Sequence, residues 1–248
     1  MNPDAVRDSL GRNLTFGMLD ALGKSIVTGH FEGKAFPSEA ELTKQHGVSR
    51  SVTREAMKML AAKGLVSARP RQGTRIEPST SWNLFDADVL RWLLERKFSL
   101  ELLRHFTVLR AAIEPAAAAL SARAASPDAI EQIEEGFARM VAAESGDDNA
   151  LQADIAFHIA ILESSGNPFF IQFRDVVATA LHTSIHFTNR IRGHTANLDE
   201  HEAVLKAIKA RDPERARDAM QQLVGNVMTL IDEAAAPGDA ADARIAAG

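Results

Sequence analysis

Cysteine is absent from the 248 residues, and so is tyrosine. Without thiols the chain has no disulfide framework, no thiolate nucleophile and no cysteine-based zinc site. No apolar run approaches the roughly 20 residues that a helix needs to cross a bilayer. The N-terminus lacks a basic region followed by an apolar segment and a small-residue cleavage site, so a cytoplasmic protein with no membrane partner is expected. Catalytic signatures are missing as well. There is no P-loop and no G-x-S-x-G. The E-x-x-H pairs of ferritin-like di-metal enzymes do not occur. An H-E-x-x-H motif fails because His201-Glu202 is followed by Leu205 where the second histidine belongs.

What is present is unevenly distributed. Hydrophobic residues make up 46% of the chain, enough for a sizeable core in one large domain or two modest ones. Residues 1–80 hold 12 Lys and Arg against 8 Asp and Glu, whereas the remainder holds 16 against 25. A basic N-terminal third joined to an acidic remainder suggests a module for a polyanion fused to one that is not.

The basic third has local signals for a compact order of elements. Leu14, Met18, Leu22, Ile26 and Val27 recur at helical spacing over 12–29. Ser38 and Glu41 have capping-box spacing, which predicts a short helix ended by Gly47. Ser49 caps the next helix, which runs to about Lys63 with Gly64 beyond it. "LVSARPRQGTRIEP" then reads as a β-hairpin. Helix, short helix, turn, helix and hairpin in this order make a winged helix-turn-helix pattern. In that fold the N-terminal residues of the second helix of the pair enter the DNA major groove. Here they are Ser49, Arg50, Ser51, Thr53 and Arg54. The planar fork of arginine matches either guanine or phosphate, and spacing alone does not choose. Arg69, Arg71 and Gln72 around Gly73 form a basic wing that can reach the backbone or minor groove.

The acidic part reads as helices near 99–124, 127–144, 148–165, 168–191, 197–210 and 213–234. Asp154 and His158 are four apart. Four residues turn a helix through about 400°, so both side chains share one face. Such a pair is either a helix-surface hydrogen bond or two ligands of one metal ion, which His201 can join from a later helix. Carboxylate and imidazole suit zinc, nickel, manganese or iron. Arg110 stands in an apolar stretch and needs a partner if buried. Glu114, one turn on, and a ligand carboxylate are the two readings. His182 and His186 form a second i, i+4 pair with Asn189 next on that face, either a polar pocket wall or a solvated or dimer-facing helix.

"FPSEAELTKQHGVSRSVTREAMKMLAAKGLV" followed by "RPRQGTRI" resembles the DNA-binding domain of the GntR superfamily of bacterial transcription regulators. "VLRAAIEPAAAALSARAA", "DIAFHIAILESSGNPFF" and "EHEAVLKAIKARDPERARDAM" resemble the FadR-type ligand-binding domain, FCD. The shorter stretch "WNLFDADVLRWLLE" looks most like the galactonate-operon repressor branch. The resemblance implies a metal held by Asp154, His158 and His201, with zinc expected and nickel or manganese as alternatives. Two departures stand out. Many relatives carry an arginine that helps contact DNA where this chain has Ala40. Relatives commonly supply a third histidine where this chain has Leu223, so that either water or an effector completes the metal's sphere or metal binding is weaker. Asn226, three residues on, shares roughly that face.

The expected fold is mainly α, a winged helix-turn-helix joined to an all-α helical bundle of FCD type. The expected domains are residues 1–78 for DNA binding, 79–98 for a linker and linking helix, 99–234 for effector binding and 235–248 for a disordered tail. The expected function is a ligand-responsive, homodimeric transcription regulator that binds double-stranded operator DNA. It would repress sugar-acid catabolism genes and be released by a sugar acid held by Arg110, His182, His186, Asn189 and Asn226. The alternative is a metal-dependent helical-bundle enzyme fused to a nucleic-acid-binding module.

Overall fold

A computed structural model describes residues 3–69, 73–96, 99–192 and 197–235, with side chains from residue 13 onward except at 69 and 185–192. The chain forms two compact units, Met1–Lys97 and Phe98–Gly248. No helix among the described residues is long and apolar enough to cross a membrane. The expected tail lies outside the described residues beyond position 235.

The first unit holds α1 (Pro3–Val27), α2 (Glu39–His46), α3 (Arg50–Ala62), the strands β1 (Val66–Arg69) and β2 (Gly73–Ile76), and α4 (Ala87–Leu94). Helix α1 starts well before residue 12, and in the sequence Val6 and Leu10 extend the four-residue spacing of Leu14, Met18, Leu22 and Ile26. Ser38 and Glu41 complete the capping box of α2, and Gly47 ends that helix in the left-handed region at φ 63°. The two strands pair antiparallel with Val66 opposite Ile76 and Arg69 opposite Gly73. Helix α1 packs on α3 and α4, and Met18, Leu22, Met57, Leu60 and Val89 are buried.

Of residues 79–98, expected as a linker and linking helix, positions 79–94 are tied into this unit. A 3-10 turn spans Ser79–Ser81. The Asn83 amide donates to the Lys63 carbonyl at 2.9 Å. Lys63 Nζ pairs with Asp86 at 2.7 Å and with Asp88 at 2.8 Å. The chain before α4 is therefore fastened to the end of α3. On the other side the indole of Trp92 is fully buried against α1 and donates to Asp20 Oδ1 at 2.7 Å. A Cβ on Gly23 would stand 2.2 Å from that ring, so only glycine lets the indole in. Gly23→Ala is expected to cost about 3 kcal/mol by overpacking, read as a lower urea midpoint. An unchanged midpoint would mean that Trp92 does not pack there.

The second unit holds α5 (Leu100–Ala124), α6 (Pro127–Glu144), α7 (Ala150–Ser164), α8 (Pro168–Ile171), α9 (Arg174–Arg192), α10 (Leu198–Lys209) and α11 (Pro213–Ala235). Ser126 caps α6 and Pro127 occupies its first turn, while Asn149 caps α7. The single helix expected over 168–191 is split, since α8 closes at Ile171 and α9 opens at Arg174. Helix α5 packs against α7, α9, α10 and α11, and α6 packs against α7 and α10. The core is continuous, from Ile113 and Ala117 on α5 through Phe157 and Ile161 on α7 to Val204, Ile208, Met220 and Leu223. Gly136 lets α6 lie directly on α7, because a Cβ there would come within 2.8 Å of Phe157 Cα. That contact seats the turn of α7 next to the site described below.

Candidate metal centre and nucleic-acid interface

Asp154, His158 and His201 are all buried, and one ligand atom from each lies within 4.8 Å of the others. Helix α7 supplies the first two on one face, and α10 brings His201 opposite them. Asp154 Oδ1 stands 3.2 Å from His158 Nε2 and 3.3 Å from His201 Nε2. The two imidazoles meet edge to face with centroids 5.4 Å apart, and the Phe157 ring lies 5.3 Å from His201. His201 Nδ1 sits 2.7 Å from the Asn197 carbonyl, so a proton on Nδ1 leaves the Nε2 lone pair facing Asp154.

Buried polar atoms are normally satisfied. Asp154 Oδ1 and His201 Nε2, which face each other in the cluster, have no hydrogen-bond partner among the described residues; the unpartnered His158 Nδ1 faces Glu114 instead. Donors bound tetrahedrally to one ion at about 2.0–2.2 Å lie about 3.3–3.5 Å from each other, close to the separations from Asp154 Oδ1. The residues therefore fit a metal ion, with one carboxylate and two imidazole nitrogens as ligands. Leu223 is buried in the same apolar cluster as Phe157 and offers no donor.

Arg110 and Glu114 stand beside this cluster, both buried. Arg110 Nε donates to Glu114 Oε1 at 2.6 Å and Nη2 to Oε2 at 3.3 Å. The guanidinium is thus already paired on one edge, and its Nη2 also lies 3.5 Å from His158 Nε2. Glu114 Oε2 is 2.7 Å from His158 Nδ1, at ion-pair distance but off the axis of a good hydrogen bond. Burial would raise the Glu114 carboxyl, but the charges of Arg110 and His158 outweigh it and hold it at about 2. Burial would likewise raise Asp154, and the imidazoles of His158 and His201 beside it hold it well below the usual range. Burial would lower His158, but Glu114 and Asp154 raise it above the usual imidazole value.

The four other expected effector residues are placed differently from Arg110. Asn226 is exposed and donates to Glu200 Oε1 at 2.7 Å, because the buried stripe of α11 continues through Leu223 and Val224 and leaves position 226 outside it. His182 is half-buried on α9. The side chains of His186 and Asn189 lie outside the described residues, although their backbone belongs to α9. Glu114 is the residue that the sequence assigned only to Arg110. Its second contact crosses from α5 to α7, and no local spacing signals it.

In the first unit, Ser49 caps α3 and its hydroxyl lies 2.8 Å from that of Ser51. Ser49, Arg50, Ser51 and Arg54 are exposed at the start of that helix. Thr53 is not available to DNA. It is fully buried, with its hydroxyl 2.9 Å from that of Thr43 on α2 and 3.3 Å from the Ser49 carbonyl. It fastens α2 to α3, on the same face as Ala56, Met57 and Leu60. Gly73 opens β2 at φ 80° and is exposed. Arg71, Gln72 and the Arg69 side chain lie outside the described residues.

Comparison with known proteins fits both units. Residues 18–76 match the family described as bacterial regulatory proteins, gntR family, and residues 105–226 match the FCD domain. An uncharacterized HTH-type transcriptional regulator, YieP of Escherichia coli K12, is 34% identical over 86% of this chain and 93% of its own length. The galactonate operon transcriptional repressor of the same organism is 32% identical over 89% of this chain and 98% of its own. The solved structure of E. coli McbR/YncC shares the fold, with a TM-score of 0.50 and 19% identity over 90% of this chain and 99% of that one. These relatives are regulators, which sets aside the metal-dependent enzyme reading. The chain belongs to the gntR family of bacterial transcription regulators, with a winged helix-turn-helix DNA-binding domain and an FCD domain.

Proposed function

We propose that this regulator represses sugar-acid catabolism genes and leaves its operator when a sugar acid binds at the Asp154, His158 and His201 site. The observation that carries this reading is the position of Arg110. A guanidinium nitrogen 3.5 Å from a metal-ligating nitrogen puts two cations side by side once the metal is bound. An anion touching both relieves that repulsion. Leu223 leaves a coordination position open, and a carboxylate or α-hydroxyl oxygen suits zinc, nickel or manganese there. The second carboxylate oxygen then meets the edge of Arg110 that Glu114 does not use. His182, with His186 and Asn189 further along α9, offers bonding groups for sugar hydroxyls. A relative that represses a galactonate operon points to the same class of ligand.

DNA binding is assigned to a homodimer, because one recognition helix gives too few base contacts for genomic specificity. Ser49, Arg50, Ser51 and Arg54 face the major groove in this reading, with Arg69, Arg71, Gln72 and Gly73 at the wing. The bonds that fasten residues 81–88 to the end of α3 give a change in the linking segment a route to the recognition helix. A gel shift with the DNA upstream of the chain's own gene, across a panel of aldonates and keto-deoxy sugar acids, tests the proposal. One member of the panel should release the complex. A shift insensitive to every sugar acid would overturn the effector assignment.

A further inference from the structure

We infer that Glu114 is the positioning residue of the site: one carboxylate orients His158 for metal binding and holds Arg110 beside the position where the anion binds. The inference rests on the metal reading above and adds a residue to it.

A carboxylate has two oxygens and about four lone-pair directions. Glu114 spends them on two elements. Its Oε1 accepts from Arg110 Nε, one turn away on α5, and its Oε2 faces both Arg110 Nη2 and His158 Nδ1 on α7. All three side chains are at most 2% exposed, so water does not compete for these contacts. A neutral imidazole has one N–H. The Glu114 carboxylate stands 2.7 Å from Nδ1 as an ion-pair contact rather than an aligned hydrogen bond; its charge favours the proton on Nδ1, which leaves the Nε2 lone pair for a metal on the Asp154 side. The same arrangement occurs at His201 with a different acceptor, since the Asn197 carbonyl lies 2.7 Å from its Nδ1. Two imidazoles on different helices, each with an oxygen 2.7 Å from Nδ1 and with Nε2 within 3.3 Å of one carboxylate oxygen, resemble metal-binding histidines held by their outer partners. An ion pair needed only to neutralise Arg110 does not require the contact with His158.

Two double variants separate these roles, because both remove the buried ion pair and leave no unpaired charge. Arg110→Met with Glu114→Gln keeps an oxygen for His158 Nδ1, whereas Arg110→Met with Glu114→Met removes it. Zinc affinity is read by competition with a chromogenic chelator, and the metal-free melting temperatures serve as a control for the fold. The methionine pair is expected to bind zinc about 10–100-fold more weakly than the glutamine pair. Equal affinities would overturn the role of Glu114 and leave the metal reading intact. A wild-type protein that binds no zinc would remove both. If either double variant does not fold, nitrogen-15 NMR of the histidine rings in zinc-loaded wild type decides. Metal on Nε2 and a proton on Nδ1 of His158 are expected, and metal on Nδ1 would overturn the inference.

Discussion

Replacing Arg50 and Arg54 together by alanine is expected to abolish specific operator binding at physiological salt. In the proposed dimer each arginine acts in both half-sites, and the loss of one base or phosphate contact costs about 1–3 kcal/mol. Salt distinguishes the two roles that the sequence leaves open. If Arg50 or Arg54 contacts phosphate, its removal lowers the slope of log affinity against log salt by about one per contact. If it reads a base, the slope stays and discrimination at one operator position relaxes. Thr53→Val should behave differently from both. It breaks the Thr43 contact between α2 and α3, so it lowers stability and leaves the salt slope of the folded protein unchanged. Filter binding or fluorescence anisotropy at several salt concentrations measures all of this. An Arg50→Ala, Arg54→Ala protein that binds the operator like wild type would contradict the assignment of α3.

Loss of the metal ligands should have the second large effect. His158→Ala and His201→Ala are expected to lose bound metal and thermal stability together, because a ligand that binds only the folded state stabilises it. At metal concentrations about a thousandfold above the dissociation constant that stabilisation is about 4 kcal/mol. For a domain of this size it corresponds to a fall of about 8–16 °C in melting temperature. A chelator should bring wild type down to a lower melting temperature, and zinc should restore it while leaving either variant unmoved. Affinity should also fall as pH falls, because protons compete with the metal for His158, whose imidazole Glu114 and Asp154 hold above its usual value. Leu223→His should tighten zinc binding if position 223 faces the open side of the ion. Protein purified without chelator that is metal-free and shows no melting shift with zinc or nickel would contradict the metal site.

The legible parts of this protein are those governed by short spacings. The Ser38–Glu41 box, the Ser49 cap and the Asp154–His158 pair each lie within about one helical turn, and each has its expected partners. His201 is 43 residues from His158, and no local spacing joins α10 to α7, so the sequence offers it only as a histidine on a later helix that the family resemblance then assigns to the metal. Thr53 was misjudged on its hydroxyl although its place in the helical period was readable. It stands three and four residues before Ala56 and Met57, on their buried face. Asn226 was misjudged for the opposite reason. A three-residue step from Leu223 is close to the buried stripe, but the stripe moves toward Val224 and leaves Asn226 exposed. The contact between Glu114 and His158 has no sequence signal beyond a carboxylate in an alanine-rich run, because it depends on how closely α5 and α7 pack.

The central claim is that one small anion, bound at the metal and Arg110, lowers affinity for operator DNA. Only a ligand with different affinities for the DNA-bound and free states can do this. A hundredfold release requires about 2.7 kcal/mol of coupling, and linkage demands that the operator weaken the ligand by the same factor. Titration calorimetry of the releasing sugar acid, with and without saturating operator, measures that reciprocity directly. We predict about a hundredfold weaker binding in the presence of operator and loss of binding in Arg110→Ala and His158→Ala proteins. Equal affinity with and without operator, or undiminished binding to those two variants, would contradict the account.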